Sequence, residues 1–565
     1  MSEDTDTKKD LDDARGGQKP KYSPHGRTQT IVHDFLTHVR EKADKAAIVS
    51  HHQASDTIET CTYRQLGRLV DRIAVALLDL GVQPGDIVSI QMPNQWQFSA
   101  LHLAISRIGA TTNPLIPILR DREARFILER TESPIFIVQD VIGSLHHAEM
   151  ASNLHESIPT LQHVFAIGDR HPESVRNFDE FFLRTRWEDR CASAELDALR
   201  PNGEAFGQLQ FTSGTTGEPK GVLHTHNTMY AATLGIPVVL DLDENDVVLM
   251  ASTMAHQTGF LYGLCMPMHY GMKAVYMDAW DPAVMLRLVQ DEEVTWTMGA
   301  TPFVLDACSA AQQTDTTHNL ASLRYFTCGG APIPPHAIDL ARRHLGTKLI
   351  AVWGMTENGV CTISSPTDSD EKVASTDGKP LPWMSARIAG PQNEDLPAGT
   401  EGRLLVRGAS QFVTYFKRPD LYDAAHGADG WFDTGDLAYL TEDGYLRITG
   451  RSKDIIIRGG ENVPVAEVEA ILYRHPKVAE AALVGIPDER LSERGCAVIV
   501  PAGEIPPTLE ELTTHLDQAK MARQFWPEHL EIRDTLPKTV SGKIQKFKLR
   551  QELAARAPQS PAQTP

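Results

Sequence analysis

Short runs of apolar residues recur along the chain, separated by longer stretches in which apolar positions return every three or four residues. DIVSIQM (86–92), SPIFIVQD (133–140) and HVFAIGD (163–169) have the length and composition of strands. LVDRIAVALLDLGV (69–82) has the apolar spacing of an amphipathic helix. This alternation predicts α/β layers, and no fixed-period repeat interrupts it.

The pattern changes near Lys453. DIIIRGGENVP (454–464) predicts a strand, a Gly-Gly turn and a helix with Pro464 near its first turn, on which Val465, Val468, Ile471 and Leu472 share a face. KVAEAALVGIP (477–487) predicts a further strand, and LPKTVSGKIQKFKLR (536–550) closes the region as a basic stretch. A chain of 565 residues with 41% hydrophobic content exceeds one core. The expected organisation is α/β overall: a polar tail (1–27), a large multi-layer N-terminal domain with α/β subdomains (28–452), a small mobile α+β C-terminal domain (453–554) and a closing tail (555–565).

A formal net charge of −20 argues against nucleic acid or an anionic lipid surface and for small-molecule partners. The basic run Lys538, Lys546, Lys548 and Arg550 lacks the interleaved aromatics of a single-strand binder. Seven scattered cysteines without a C-x-x-C pair point to a reducing compartment, neither a disulfide framework nor a zinc site. The opening residues lack a secretory or transit pattern and no apolar run reaches membrane-helix length, so the default location is the cytoplasm, with no membrane span.

The strongest chemical signal follows the strand-like FGQLQF: Gln210-Phe211-Thr212-Ser213-Gly214-Thr215-Thr216-Gly217-Glu218-Pro219-Lys220-Gly221. Hydroxyls and glycines at this density let backbone N–H groups converge on anionic oxygens, and Lys220 adds a point charge. The lysine follows proline and no Ser or Thr follows it, so this is not the Walker pattern. The string resembles the signature of the adenylate-forming (AMP-binding) superfamily of acyl-CoA synthetases, luciferases and peptide-synthetase adenylation domains. MAHQTGF (254–260), CGGAPIP (328–334), VWGMTEN (352–358), WFDTGDLA (431–438), GRSKDIIIRGGENVP (450–464) and PKTVSGKIQK (537–546) resemble its further motifs, in order, over nearly the whole chain after residue 30. The wording is most similar to bacterial short- and medium-chain fatty acid and cyclohexanecarboxylate CoA ligases.

The resemblance implies ATP, magnesium and coenzyme A. In it, Thr212, Ser213, Gly214, Thr215, Thr216, Gly217 and Lys220 hold the pyrophosphate end of ATP, Thr356 contacts phosphate and Glu357 carries magnesium. A hard cation needs oxygen ligands, and one carboxylate beside phosphate is a usual arrangement. Trp353, where tyrosine is commoner, stacks on adenine with Gly354 and Met355 beside it, against the flat backbone of Gly329, Gly330 and Ala331. Asp436 and Arg451 match ribose contacts, although Asp436 in DTGD also reads as a turn residue. Lys543 matches the lysine that bridges carboxylate and α-phosphate as charge develops. His256 stands at the family's gating position. Lys453 matches the hinge about which the small domain rotates between half-reactions, and Gly459 and Gly460 would then wall the pantetheine channel.

Between Asp246 and Asp278 the sequence holds no acidic residue and a single lysine, Lys273. An amino acid would want a carboxylate here for its ammonium, so a peptide-synthetase role is disfavoured. The expected acid is uncharged, and the resemblance implies an aliphatic one, of short or medium chain or cyclic. Carrier-protein loading by an acyl-AMP ligase and a luciferase-like oxygenase are the alternative fates of the adenylate. A non-catalytic nucleotide-binding protein is disfavoured by the intact Lys220, Glu357, Asp436 and Lys543.

Overall fold

A computed structural model describes residues 26–191, 193–212, 219–313, 318–330, 333–427, 429–451, 456–458, 461–488, 492–519, 521, 523–538 and 544–556. Nearly all of both expected tails lies outside this set. The chain folds as two compact units. One takes in the chain up to Thr212, Pro219–Ser385 and Arg407–Ala424; the other takes in Ala386–Val406 and the chain from Ala425 on.

Among the described residues the first unit holds two large, mainly parallel sheets. The nine-stranded sheet runs Lys379–Pro380, Gly359–Ile363, Lys348–Met355, Tyr325–Gly329, Trp296–Gly299, Val247–Met250, Lys273–Met277, Ala46–His52 and Thr57–Thr62, in spatial order. Its strands from Lys348–Met355 to Ala46–His52 are parallel, with antiparallel partners at both edges. The eight-stranded sheet runs Thr414–Tyr415, Lys220–Thr225, Phe206–Thr212, Thr111–Pro114, Ile87–Gln91, Ile135–Gln139, His163–Ile167 and Arg176–Asn177. The three strands expected from DIVSIQM, SPIFIVQD and HVFAIGD are consecutive members of it by parallel pairing. They read as near-continuous apolar runs because central parallel strands are buried on both faces.

The helix expected over 69–82 extends further back, as Tyr63–Asp79. Its start is fixed by a capping box: Thr62 Oγ1 accepts from the Gln65 backbone N–H, and Gln65 Oε1 accepts from the Thr62 N–H at 2.8 Å. Leu66, Val70, Ile73 and Leu77 then fall on its buried face.

Most of a four-stranded antiparallel sheet, Met384–Ala389, Gly402–Gly408, Phe432–Leu440 and Leu446–Arg451, belongs to the second unit. Beyond it, Val478–Asp488 and Ser492–Pro501 form a long hairpin joined in parallel by His529–Ile532. Side chains alternate across this sheet. Leu483, Ala497 and Ile499 pack with Val468, Leu472, Leu512 and Leu516 of the helices Val465–Leu472 and Leu509–Gln518. Ala482, Val484 and Val498 pack instead with Leu549 of the helix Lys546–Arg556. Both faces are therefore covered, which accounts for the apolar run in KVAEAALVGIP.

Two local expectations change in detail. The Gly-Gly segment does not lead straight into the helix, because a strand pair, Ile456–Arg458 with Glu461–Val463, stands before it. In the basic run, Lys538 pairs with Glu480 at 2.8 Å and Lys546 with Glu469 at 2.7 Å. Two of its charges are thus spent inside the unit.

Candidate active site

The loop expected to cradle phosphate joins two antiparallel strands, Phe206–Thr212 and Lys220–Thr225, with Thr212 opposite Lys220. The first strand is the one the sequence predicts; the second pairs with it antiparallel, whereas a Walker loop leads from a strand into a helix. Thr212 Oγ1 donates to the Lys220 carbonyl at 3.4 Å, closing the base of the tip. Ser213, Gly214, Thr215, Thr216 and Gly217 lie outside the described residues.

The nine-stranded sheet brings four further segments to the carboxyl ends of its parallel strands. They are the His256 loop after Val247–Met250, residues 298–304 (MGATPFV) at the end of Trp296–Gly299, the Gly329-Gly330 end of Tyr325–Gly329 and the Thr356-Glu357 end of Lys348–Met355. This is where open parallel sheets bind ligands. Gly329 lies opposite Val352 in the next strand, so close that a Cβ would fall 2.7 Å from the Val352 carbonyl oxygen. Gly330 follows with φ +83°, a left-handed conformation suited to glycine. The flat Gly329-Gly330 backbone and buried Trp353 are therefore carried by adjacent strands. Ala331 lies outside the described residues.

After Met355 the chain reverses into Gly359–Ile363, with Met355 opposite Gly359, and Thr356-Glu357-Asn358 forms the turn. At Gly354 any Cβ would run into the Gly359 carbonyl, so glycine permits this tight return. The turn is held from several sides. His224 Nε2 donates to the Thr356 carbonyl at 2.8 Å, and the Phe412 backbone N–H donates to the Glu357 carbonyl at 2.8 Å. The Tyr415 hydroxyl donates to Glu357 Oε1 at 2.9 Å, and the Lys220 ammonium lies 4.7 Å from the centre of the Tyr415 ring. Burial, then the charge and hydrogen bond of Glu357, pushes the Tyr415 phenol far above its ordinary range, so it remains a donor.

His256 lies on a loop whose backbone is tied down on both sides. Asn94 Nδ2 donates to the Ser252 carbonyl at 2.9 Å while Asn94 Oδ1 accepts from the Met254 N–H at 2.7 Å. Gln210 Nε2, on the strand leading to the phosphate hairpin, donates to the Ala255 carbonyl at 2.7 Å. The hairpin and the His256 loop are thus joined by one buried amide.

In the second unit, Asp436 is buried within the strand Phe432–Leu440, and its backbone position pairs with that of Arg451 on the next strand. The Asp436 N–H donates to Thr434 Oγ1 at 3.1 Å, and Gly435 between them has φ +74°. The DTGD segment is accordingly strand with a local kink rather than a free turn. Nothing is described of the Arg451 side chain, and Lys453, Gly459, Gly460 and Lys543 lie outside the described residues. The segment carrying Lys543 is anchored at its base: Lys538 bridges Ile544, and the Gln545 N–H donates to the Pro537 carbonyl at 2.7 Å.

Tyr415, His224, Asn94 and Phe412 were not singled out in the sequence. His224 could have been marked by its place beside the loop motif, in GVLHTH. Tyr415 carries no signal of period or spacing, since its contact with Glu357 spans 58 residues.

Burial pushes His224 down from 6.5 to about 4 and His226, aided by His269 and His33, from 6.5 to about 3. Both stay neutral in the fold but gain a proton near pH 6.5 when the chain unfolds. The unfolded state then binds more protons, so stability falls as pH drops from about 6.5 toward 4. At about 1.4 kcal/mol per unit for each histidine, moving from pH 6.5 to 4.5 should cost roughly 3–5 kcal/mol. Urea unfolding at stepped pH measures the slope; His102 and His269, also held below 6.5 by burial, add to it, so His224→Gln should lower it by about one histidine's share, and an unchanged slope would contradict the assignment.

Residues 35–416 match the family of AMP-binding enzymes and residues 467–543 match the AMP-binding enzyme C-terminal domain. A medium-chain fatty-acid–CoA ligase from Escherichia coli (strain K12) is 34% identical over 521 residues, covering 92% of this chain and 90% of that protein. A 2,3-dihydroxybenzoate-AMP ligase from Bacillus subtilis (strain 168) is 31% identical over 503 residues, covering 87% and 89%. Among solved structures, the anthranilate CoA ligase AuaEII in complex with anthranoyl-AMP superposes with a TM-score of 0.82 at 25% identity, covering 94% of this chain and 100% of that one. The chain belongs to the AMP-binding enzyme family, with both of the family's domains, and is an adenylate-forming acid–thiol ligase.

Proposed function

We propose that the protein joins an uncharged aliphatic acid, of short or medium chain or cyclic, to coenzyme A in two steps. First a carboxylate oxygen attacks the α-phosphorus of ATP, the α–β P–O bond breaks and pyrophosphate leaves. The CoA thiolate then attacks the acyl carbon, the bond to AMP breaks and the thioester forms. The observation that carries this reading is the convergence of Lys220, Tyr415 and the Thr356-Glu357 turn beside the flat Gly329-Gly330 strand end.

In this reading residues 212–217 and Lys220 bind the β- and γ-phosphates, and Trp353 through Met355 with Gly329 to Ala331 take adenine. Asp436 and Arg451 take the ribose, and His256 borders the carboxylate. Phosphoryl-centre substitution asks mainly for positioning and charge stabilisation from the protein, which this set provides. The residues fit magnesium held largely by substrate: among the described residues no cluster of three His, Cys, Asp or Glu could cage an ion, whereas Glu357 is a single carboxylate beside the phosphate hairpin. Glu357, with Thr356 adjacent, would hold the ion. Magnesium, when bound, would offset negative charge on the triphosphate oxygens.

Several features support an uncharged acyl group. The strand Val247–Met250 and the helical segments Thr258–Cys265 and Met266–Tyr270 are buried and free of acids. Lys273 is tied to Glu292 at 3.0 Å, which removes that ammonium as a receptor for a second carboxylate. His269 is tied to Asp34 at 2.7 Å. The similarity to a medium-chain ligase points the same way. CoA-dependent AMP release across aliphatic chain lengths, cyclic and aromatic acids tests this; fastest turnover on an aromatic or dicarboxylic acid would overturn it.

We place the hinge of the small domain (453–554) at Lys453, so that Lys543 serves adenylation and the Gly459-Gly460 loop serves thiol entry. Gly460→Leu is then expected to spare acid-dependent pyrophosphate release while lowering CoA-dependent thioester formation roughly 100-fold, because a branched side chain fills the pantetheine passage. Parallel assays of pyrophosphate and acyl-CoA check it, and normal thioester formation would refute the channel.

A further inference from the structure

One short segment touches both charged ends of the proposed phosphate machinery. Residues 412–416 lie between the phosphate hairpin and the Glu357 turn: the Phe416 N–H donates to the Gly221 carbonyl at 2.7 Å, the Val413 N–H to the Leu223 carbonyl at 2.9 Å and the Phe412 N–H to the Glu357 carbonyl at 2.8 Å. The strand Thr414–Tyr415 pairs antiparallel with Lys220–Thr225, setting Tyr415 opposite Val222. From there its hydroxyl reaches Glu357 at 2.9 Å and its ring carries the Lys220 ammonium at 4.7 Å.

We infer that Tyr415 is a positioning residue that sets the Glu357 carboxylate and the Lys220 ammonium relative to each other, so that the metal–triphosphate group meets both at a fixed spacing. The inference rests on the adenylation reading above and adds to it a device for ordering metal-bound ATP. The chemistry follows from the donor set. A phenol bound to Oε1 restricts rotation of the carboxylate and so fixes the direction from which its oxygens can meet a hard cation. An ammonium over an aromatic face is attracted by the ring quadrupole and keeps its full charge, the charge a phosphate would meet. The ring itself is fixed by Phe412, whose centroid lies 4.8 Å away, and it is almost wholly buried.

The two contacts separate by substitution. Tyr415→Phe keeps the ring beneath Lys220 and removes the hydroxyl; Tyr415→Leu removes both. Calorimetric titration of the full chain with ATP in excess magnesium, and with ATP in EDTA, reads the metal-dependent part of binding. Tyr415→Phe should weaken magnesium–ATP binding roughly tenfold, the scale of one hydrogen bond to a charged group, and leave metal-free ATP binding unchanged. Tyr415→Leu should weaken both. In a Glu357→Gln background Tyr415→Phe should add no further loss. Equal weakening with and without magnesium in Tyr415→Phe, or no weakening at all, would overturn the inference. Acid-dependent pyrophosphate release by the unsubstituted enzyme, measured alongside, separates this failure from failure of the adenylation reading. If Tyr415→Leu does not fold, the Phe variant alone decides.

Discussion

Alanine in place of Lys543 is expected to lower acid-dependent pyrophosphate formation by roughly 100- to 1,000-fold, while thioester formation from supplied acyl-AMP and CoA proceeds near the normal rate. The reason lies in where charge develops. As the carboxylate approaches the α-phosphate, two anionic groups are forced together, and a preorganised ammonium between them stabilises that arrangement more than the separated reactants. The thiol step has no such encounter, because the carboxylate oxygen is already joined to the α-phosphorus in a mixed anhydride. Lys543 falls within the matched C-terminal domain and beside a base pinned by the Lys538–Ile544 bridge and the Gln545–Pro537 hydrogen bond. Pyrophosphate assay of the forward step and thioester assay from synthetic acyl-AMP measure the split. Equal loss in both would show a structural role instead.

Glu357→Gln should reduce pyrophosphate formation on the order of 100-fold and raise the magnesium concentration needed for half-maximal rate. The substitution keeps size and retains an oxygen to accept from Tyr415, so unfolding should move little. What disappears is the negative charge that a hard cation requires. Glu357→Ala differs instructively, because it leaves the buried Tyr415 hydroxyl without this acceptor, at about 1–3 kcal/mol. A magnesium titration of initial rate together with urea unfolding of both variants distinguishes charge from packing. A Gln variant with unaltered magnesium dependence would remove Glu357 from the metal site.

The parts legible in the sequence share a physical cause: each is local. Periodicity marked the parallel strands at 87–91, 135–139 and 163–167, since burial on both faces leaves a continuous apolar run. The four buried positions of the helix Val465–Leu472 were likewise visible from their spacing. Motif strings marked the hairpin residues and the turn at Thr356-Glu357, because backbone demands at Gly354 and Gly330 leave glycines in the text. The rest depends on tertiary register. The return strand Lys220–Thr225 hides among ordinary residues, and the pairing of Glu461–Val463 with Ile456–Arg458 is too short to show a period. Tyr415 meets Glu357 across 58 residues and His224 meets Thr356 across 132, so no window of sequence contains either contact. Composition of the 246–278 segment, without acids and with the single Lys273, speaks to the charge of the proposed acid but carries nothing about pocket shape, so it leaves chain length open.

The measurement closest to the central claim is exchange of labelled pyrophosphate into ATP with CoA absent. Reversible adenylate formation predicts exchange that appears only when an acid substrate and magnesium are both supplied, that collapses in Lys543→Ala, and that needs no thiol. A well-folded protein that exchanges no label with any acid, yet makes thioester when CoA is added, would place the chemistry on another path and contradict the account.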